Sequence, residues 1–145
     1  MKYVGVDYGL ARTGLAVSDP EGRLAFPLAT LRLQDFLNRK ALLAELAARV
    51  AHEGAGTVVV GLPVHEDGRE SLITRQVRNV TERLKRRVYL PFFFMAETLS
   101  SVEALDDLRE AGIASKRRRD VIDQQAAVRI LASFLALNPD ERRRA

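Results

Sequence analysis

Residues 3–19 read YVGVDYGLARTGLAVSD, and the rest of the chain is organised around them. An apolar run, residues 3–6, stops on an acidic residue, Asp7. A turn follows through Tyr8, Gly9, Leu10, Ala11 and Arg12, and a second strand-like run occupies residues 13–17. A carboxylate at the end of a buried strand, beside a glycine that leaves room next to the backbone, suits a divalent cation or a phosphate. The same residues also suit an ordinary hairpin whose turn opens on Asp7. What the remaining chain brings to that place decides between the two.

Working outward, SDPEG at 18–22 supplies Asp19 and Pro20 to open a tight turn and Gly22 to close it. A third strand over 24–31 contains Pro27, which places it at a sheet edge. Asp35 or Asn38 caps a helix running to residue 51, with Phe36, Leu43, Leu46, Ala47 and Val50 as its stripe and Gly54 and Gly56 as its stop. TVVVGL at 57–62 reads as a buried parallel strand ended by Pro63. A polar loop, 65–70, is expected on the surface, with His65 and His52 as plain surface residues. A helix over 71–87 has the stripe Ile73, Val77, Val80 and Leu84, and a buried strand over 88–95 carries three phenylalanines and leads to Glu97. Ser100 with Glu103 fits a capping box for a helix at 102–111. A basic loop precedes Asp120, which can cap a last helix whose core face is Ile122, Ala126, Ile130 and Phe134. The expected class is α/β: a mixed five-stranded sheet, three antiparallel strands then two parallel, flanked by helices. One domain spans 1–138, and 139–145 form a frayed basic tail.

Composition narrows the function. The chain has 145 residues, 47% apolar and 29% charged, as expected of one folded domain. It has no cysteine, which excludes a disulfide framework, a thiol nucleophile and a zinc–thiolate site, and its two histidines lack ligand spacing. No apolar run approaches the roughly 20 residues of a membrane helix, and Met1 and Lys2 lead straight into a strand, so no signal peptide and a cytoplasmic location are expected. The net charge is +4. Through Gly68 there are 7 basic and 8 acidic residues, and from Arg69 onward 16 and 11, so the second half is basic. Of the 23 basic residues, 19 are arginine, the side chain suited to bidentate phosphate contact. A polyanionic partner is expected, with general solvation of the surface as the alternative.

The layout has a chemical consequence. If the first strand, TVVVGL and the phenylalanine strand run parallel, all three end at one edge, and Asp7 and Glu97 approach each other there. Asp123, placed by this reading in the first turn of the final helix, can reach the same edge. Three carboxylates form a hard oxygen site suited to Mg²⁺ or Mn²⁺, the kind that supports phosphodiester hydrolysis. Each also has a structural role open to it: Asp7 as turn former, Glu97 as strand-end charge, Asp123 as partner of the Asp120 cap.

These residues resemble a known family. Asp7, Gly9, Arg12, Gly14, Ala16, Ser18, Asp19 and Pro20 look like the N-terminal signature of the YqgF/RuvX family, and VGLP at 60–63 looks like its second motif. ETLSSVE at 97–103, the basic loop before Asp123, and AAVRIL at 126–131 are similar to the remaining two. The resemblance covers nearly the whole chain in order. It implies an RNase H-like fold and a nuclease acting on the 5′ end of pre-16S rRNA or on Holliday junctions, with Asp7, Glu97 and Asp123 at the family's acidic positions. One departure stands out: the family usually has Asp-Glu-Arg where this chain has Ala96, Glu97 and Thr98. The missing arginine removes a phosphate contact or a charge that would lower the glutamate pKa.

The expectation is therefore a metal-dependent endonuclease for pre-rRNA or branched DNA, with catalytic and metal-binding Asp7, Glu97 and Asp123. Gly9, Arg12, Lys116, Arg117, Arg118 and Arg119 are the expected nucleic-acid contacts, and Asp120 is a cap or an extra ligand. A junction resolvase would favour a homodimer. The alternatives are a non-catalytic nucleic-acid-binding module with a vestigial acidic site, and an actin-like phosphate loop, for which one domain of this size is too little.

Overall fold

The structure, a computed structural model, describes residues 1–98 and 116–145. Along the chain run β1 (Tyr3–Asp7), β2 (Arg12–Ser18), β3 (Ala25–Arg32), α1 (Arg39–His52), β4 (Thr57–Val64), α2 (Leu72–Lys85), β5 (Phe92–Thr98), α3 (Lys116–Leu135) and β6 (Arg143–Arg144). They form one mixed sheet in the order β3-β2-β1-β4-β5-β6, with β1, β4 and β5 parallel and the other pairings antiparallel. The expected helix at 102–111 and its capping box at Ser100 lie outside the described residues. Among the described residues no helix is long and apolar enough to cross a membrane.

Period-two alternation sends the two faces of the sheet to different partners. Val4, Val6, Leu15, Val58, Val60, Leu62 and Phe92 pack with Leu42, Leu43, Leu46 and Val50 of α1 and with Val77, Val80 and Leu84 of α2. Ala16 and Val59, on the other face, meet Ala127, Ile130, Leu131 and Phe134 of α3. Ile130 and Phe134 are buried as expected, whereas Ile122 and Ala126 are only partly buried and Ala127 and Leu131 complete the face. Burying side chains of this size contributes about 1.5–3 kcal/mol each. Of the two proposed caps for α1, Asn38 is the one used, its Oδ1 accepting from the Ala41 N–H at 2.9 Å.

Several boundaries differ from the sequence reading. Pro63 does not end β4, which continues to Val64 with Pro63 opposite Glu97. The Val58 N–H donates to Pro91 on the β5 side, so by alternation a donor at Pro63 would face β1. That strand pairs with β4 only as far as Val60, and the missing N–H therefore costs no ladder bond. Pro27 is tolerated at the edge strand, as expected, beside a register shift between Leu15 and Ala16. The tail is not frayed. Arg143 and Arg144 pair with Phe94 and Phe93 and add a sixth strand to the expected five.

Candidate active site

β1 and β5 both present their odd-numbered residues to the α3 face, which puts Asp7 and Glu97 on one side of the sheet at the C-terminal edge of the parallel strands. Arg12 starts the antiparallel β2 and shares that edge and face. Asp7 lies opposite Gly14 across the β1–β2 ladder. A Cβ on Gly14 would overlap the backbone carbonyl of Asp123, so this glycine lets α3 settle directly on β2. Gln124, next along α3, donates to the Thr30 hydroxyl of β3 at 3.2 Å and locks the helix azimuth. Asp123 is thus delivered to the sheet by backbone contact, and Arg12 Nε donates to its Oδ2 at 2.7 Å.

Asp123 lies about two turns into α3, not in its first turn, because α3 begins at Lys116. The backbones of Lys116, Arg117, Arg118 and Arg119 therefore form the opening of a helix, not a loop. Asp120 lies inside that helix and cannot be its N-cap.

Register explains the spacing of the acids. Val6 pairs with Val60, and Val60 with Phe94, so Glu97 stands two residues beyond the level of Asp7 and two strands away. With strands ~4.8 Å apart and ~3.3 Å per residue, the two Cα atoms are roughly 12 Å apart. A glutamate's extra methylene shortens that gap where an aspartate would not. Ala96 and Thr98 are exposed while Glu97 is partly buried, so the strand aims the glutamate inward without help from its neighbours.

The electrostatics are those of crowded acids. The Asp7 carboxyl is pushed up to about 7, first by burial and then by the charges of Asp123 and Glu97, with Arg129 opposing. Glu97 is raised by burial, and Arg129 again opposes. Arg129 is the site residue that sequence reasoning passed over. It lies inside AAVRIL, and no spacing marks it, since only the packing of α3 shows which way its charge acts. Among the described residues no three His, Asp and Glu side chains close around one point as a metal cage would require. The donor chemistry still fits a hard divalent cation: the candidate ligands are all carboxylate oxygens, and the charges of Asp123 and Glu97 both act on Asp7 despite the arginines nearby.

The remaining signature residues divide by role. Gly9 was expected to give clearance for a phosphate backbone, yet a Cβ there would meet the Arg12 carbonyl oxygen at 2.5 Å, so the turn itself needs the glycine. Ser18 and Asp19 sit at the far end of β2. Ser18 Oγ accepts from the Tyr3 N–H at 2.8 Å, and Asp19 Oδ1 accepts from the Arg23 and Leu24 N–H groups at 2.7 Å, closing the expected turn. In VGLP, Gly61 receives Ile130 and the Pro63 carbonyl accepts from Thr74 Oγ1 at 2.5 Å. His52 and His65 are exposed, as expected.

The chain is similar to known proteins along nearly its whole length. The family described as "RuvX: Holliday junction resolvase" matches residues 1–137. A protein of Nitratidesulfovibrio vulgaris (strain DP4) named "Putative pre-16S rRNA nuclease" is 55% identical over 143 residues, covering 99% of this chain and 98% of its own. One of Lawsonia intracellularis with the same name is 47% identical over 142 residues, covering 98% of each. Among solved structures, that of Thermus thermophilus RuvC in complex with a Holliday junction substrate superposes with a TM-score of 0.60 at 13% identity, covering 100% of this chain and 99% of that one. That likeness speaks to the fold alone, which is RNase H-like. With a match across residues 1–137 and relatives up to 55% identical along nearly their whole length, the chain belongs to the RuvX family.

Proposed function

We propose that this chain is a divalent-metal-dependent endonuclease, a hydrolase of phosphodiester bonds in structured nucleic acid. The observation that carries the reading is the gathering of Asp7, Glu97 and Asp123, from three distant parts of the sequence, on one face at one edge. The names borne by the relatives and the family support the reaction class. They also supply two candidate substrates, pre-16S rRNA, whose 5′ end is the site we propose, and a Holliday junction, and either supports a cytoplasmic location.

Asp7, Glu97 and Asp123 would hold Mg²⁺ or Mn²⁺, which when bound activates water and stabilises the leaving oxygen. The chain's own residues do the rest. Burial and its acidic neighbours leave Asp7 half protonated near neutrality, so its carboxylate gains most from an arriving positive charge. Arg12 holds Asp123 in place and is a candidate to turn towards a phosphate oxygen when a cation takes over that carboxylate. Lys116, Arg117, Arg118 and Arg119, at the start of α3, are candidates to meet the backbone with fixed charge and the helix N-terminus together.

A non-catalytic nucleic-acid-binding module is the second reading, favoured by the Arg12–Asp123 ion pair, which occupies a carboxylate that cleavage needs. One paired assay separates them. Wild-type protein and Asp7→Asn are incubated with a four-way DNA junction and with a pre-rRNA 5′-end mimic, with and without Mg²⁺ or Mn²⁺. Cleavage that needs both the metal and Asp7, with binding intact in Asp7→Asn, supports the enzyme. Binding without cleavage of either substrate assigns the module. The junction reading also favours a two-fold dimer in solution, because two strands are cut symmetrically, and the mass measured in solution is a second check.

A further inference from the structure

The sheet flank away from the acidic edge carries a second concentration of charge. The Ala145 N–H donates to the Phe92 carbonyl at 2.8 Å, which fastens the end of β6 to the start of β5. Lys85, the last residue of α2, donates Nζ to the Ala145 carbonyl at 3.1 Å, so the end of α2 lies beside β6. Arg86 and Arg87 follow at once and are exposed, as are Arg143 and Arg144. Tyr89, in the same loop, is 92% exposed, a large ring left to solvent with no packing role.

Residues 85–89 and 143–144 contain five basic residues and no acidic one. Lys85 is shared with Glu82 at 3.4 Å. Among the described residues, Arg86, Arg87, Arg143 and Arg144 have no carboxylate partner. Elsewhere α2 behaves differently: Arg78 is neutralised by two bonds to Glu70, both at 2.8 Å. The unpaired set is all arginine, whose planar fork suits phosphate and whose face stacks on rings. Arg144 already does the latter, lying 5.3 Å over the Phe93 ring.

Position connects the patch to the site. Phe93 and Glu97 are four residues apart on β5 and share a face, so Arg144 lies roughly 13 Å from Glu97 along the strand. That is about four base-pair steps at ~3.4 Å each.

We infer that this flank is a second nucleic-acid contact surface, in which Arg86, Arg87, Arg143 and Arg144 grip the substrate backbone about four base pairs from the cut and Tyr89 offers a face for an unpaired base. The inference rests on the nuclease reading and extends it from the scissile phosphate to the arm beside it. Unpaired arginines beside an exposed aromatic match a phosphate backbone with bases better than a lipid surface, which offers nothing to stack on Tyr89.

The test is a quadruple variant, Arg86→Gln, Arg87→Gln, Arg143→Gln and Arg144→Gln, beside a control, Arg23→Gln, in the turn between β2 and β3 on the opposite flank of the sheet. Binding to a fluorescent four-way DNA junction and to a pre-rRNA mimic is measured by anisotropy across a salt series, with thermal melting as the folding check. The quadruple variant is expected to lose about 100-fold in affinity and to flatten the log–log salt slope by about 2 to 4, while the control changes neither by that much. Shortening the arms to two or three base pairs beyond the cut should remove the difference between wild type and variant. Tyr89→Ala should weaken binding of single-stranded tails about tenfold and leave duplex binding unchanged.

A correctly melting quadruple variant with wild-type affinity and slope overturns the inference and leaves the nuclease reading intact. Wild-type protein that binds neither nucleic acid overturns the nuclease reading itself. Vesicles containing phosphatidylglycerol are the third arm: loss of vesicle binding with nucleic-acid affinity unchanged overturns the inference in favour of a membrane surface.

Discussion

Replacing Asp7 by asparagine should stabilise the folded chain at alkaline pH while removing its chemistry. In the fold this carboxyl is pushed from the ordinary 3.8 to about 7, chiefly by burial and then by Asp123 and Glu97. Between those two values the native state holds a proton that the unfolded chain has released, so the group's contribution is fully present below about pH 4 and is lost as pH rises through 7. Full ionisation over that interval costs about 4 kcal/mol at 1.36 kcal/mol per pKa unit, and partial solvent access brings the expected figure to about 2–4 kcal/mol. Asparagine has the same shape and no charge to desolvate. Asp7→Asn should therefore match wild type near pH 4, gain progressively to pH 8, and there melt about 5–15 °C higher. Thermal melts at pH 4.5, 6 and 8 in chelator read this directly. Adding Mg²⁺ at pH 8 should raise the wild-type Tm and leave that of Asp7→Asn unchanged. A variant no more stable relative to wild type at pH 8 than at pH 4.5 would refute the reasoning, because the crowding of acids around Asp7 would then carry no energetic weight.

Three further perturbations probe the frame around the site. Gly14→Ala drives a methyl into the Asp123 carbonyl and should cost about 1–3 kcal/mol in urea unfolding while displacing Asp123 enough to suppress cleavage. Glu97→Asp retracts the carboxylate by about one bond length across the gap to Asp7. It should lower the cleavage rate on the order of 100-fold with stability unchanged, as read in single-turnover kinetics. Phe134→Ala empties the centre of the α3 contact, where the ring is fully buried against Tyr3 and Phe93 at 6.0 and 5.3 Å, and should cost about 3–5 kcal/mol in the same unfolding assay.

Much of this molecule is legible in its one-dimensional pattern, because strands, amphipathic helices and turns follow from local periodicity and from residues with restricted backbones. YVGVD and TVVVGL form the expected buried strands, while the phenylalanine run becomes a strand only from Phe92, reaches Thr98, and buries only Phe92 because it lies next to the sheet edge. Asp19 closes the turn that its position before Pro20 announces, and the ends of the parallel strands give the shared edge of Asp7 and Glu97. The misreadings have a common origin in contacts that no window of sequence contains. Pro63 stays in β4 because β1 has already stopped alongside it, and Arg143 and Arg144 become a strand because β5 offers a free edge. The basic run 116–119 is helical although its charges carry no apolar stripe. The site divides in the same way. Its acidic members stand at or near predicted element ends, whereas the Arg12–Asp123 bond spans 111 positions of chain and the opposing charge of Arg129 depends on how α3 lies on Gly14. Sequence alone determined which groups are available at the edge. Tertiary packing decided their separations, their protonation and the cation that faces them, because Coulomb energy and desolvation depend on distance through space, not along the chain.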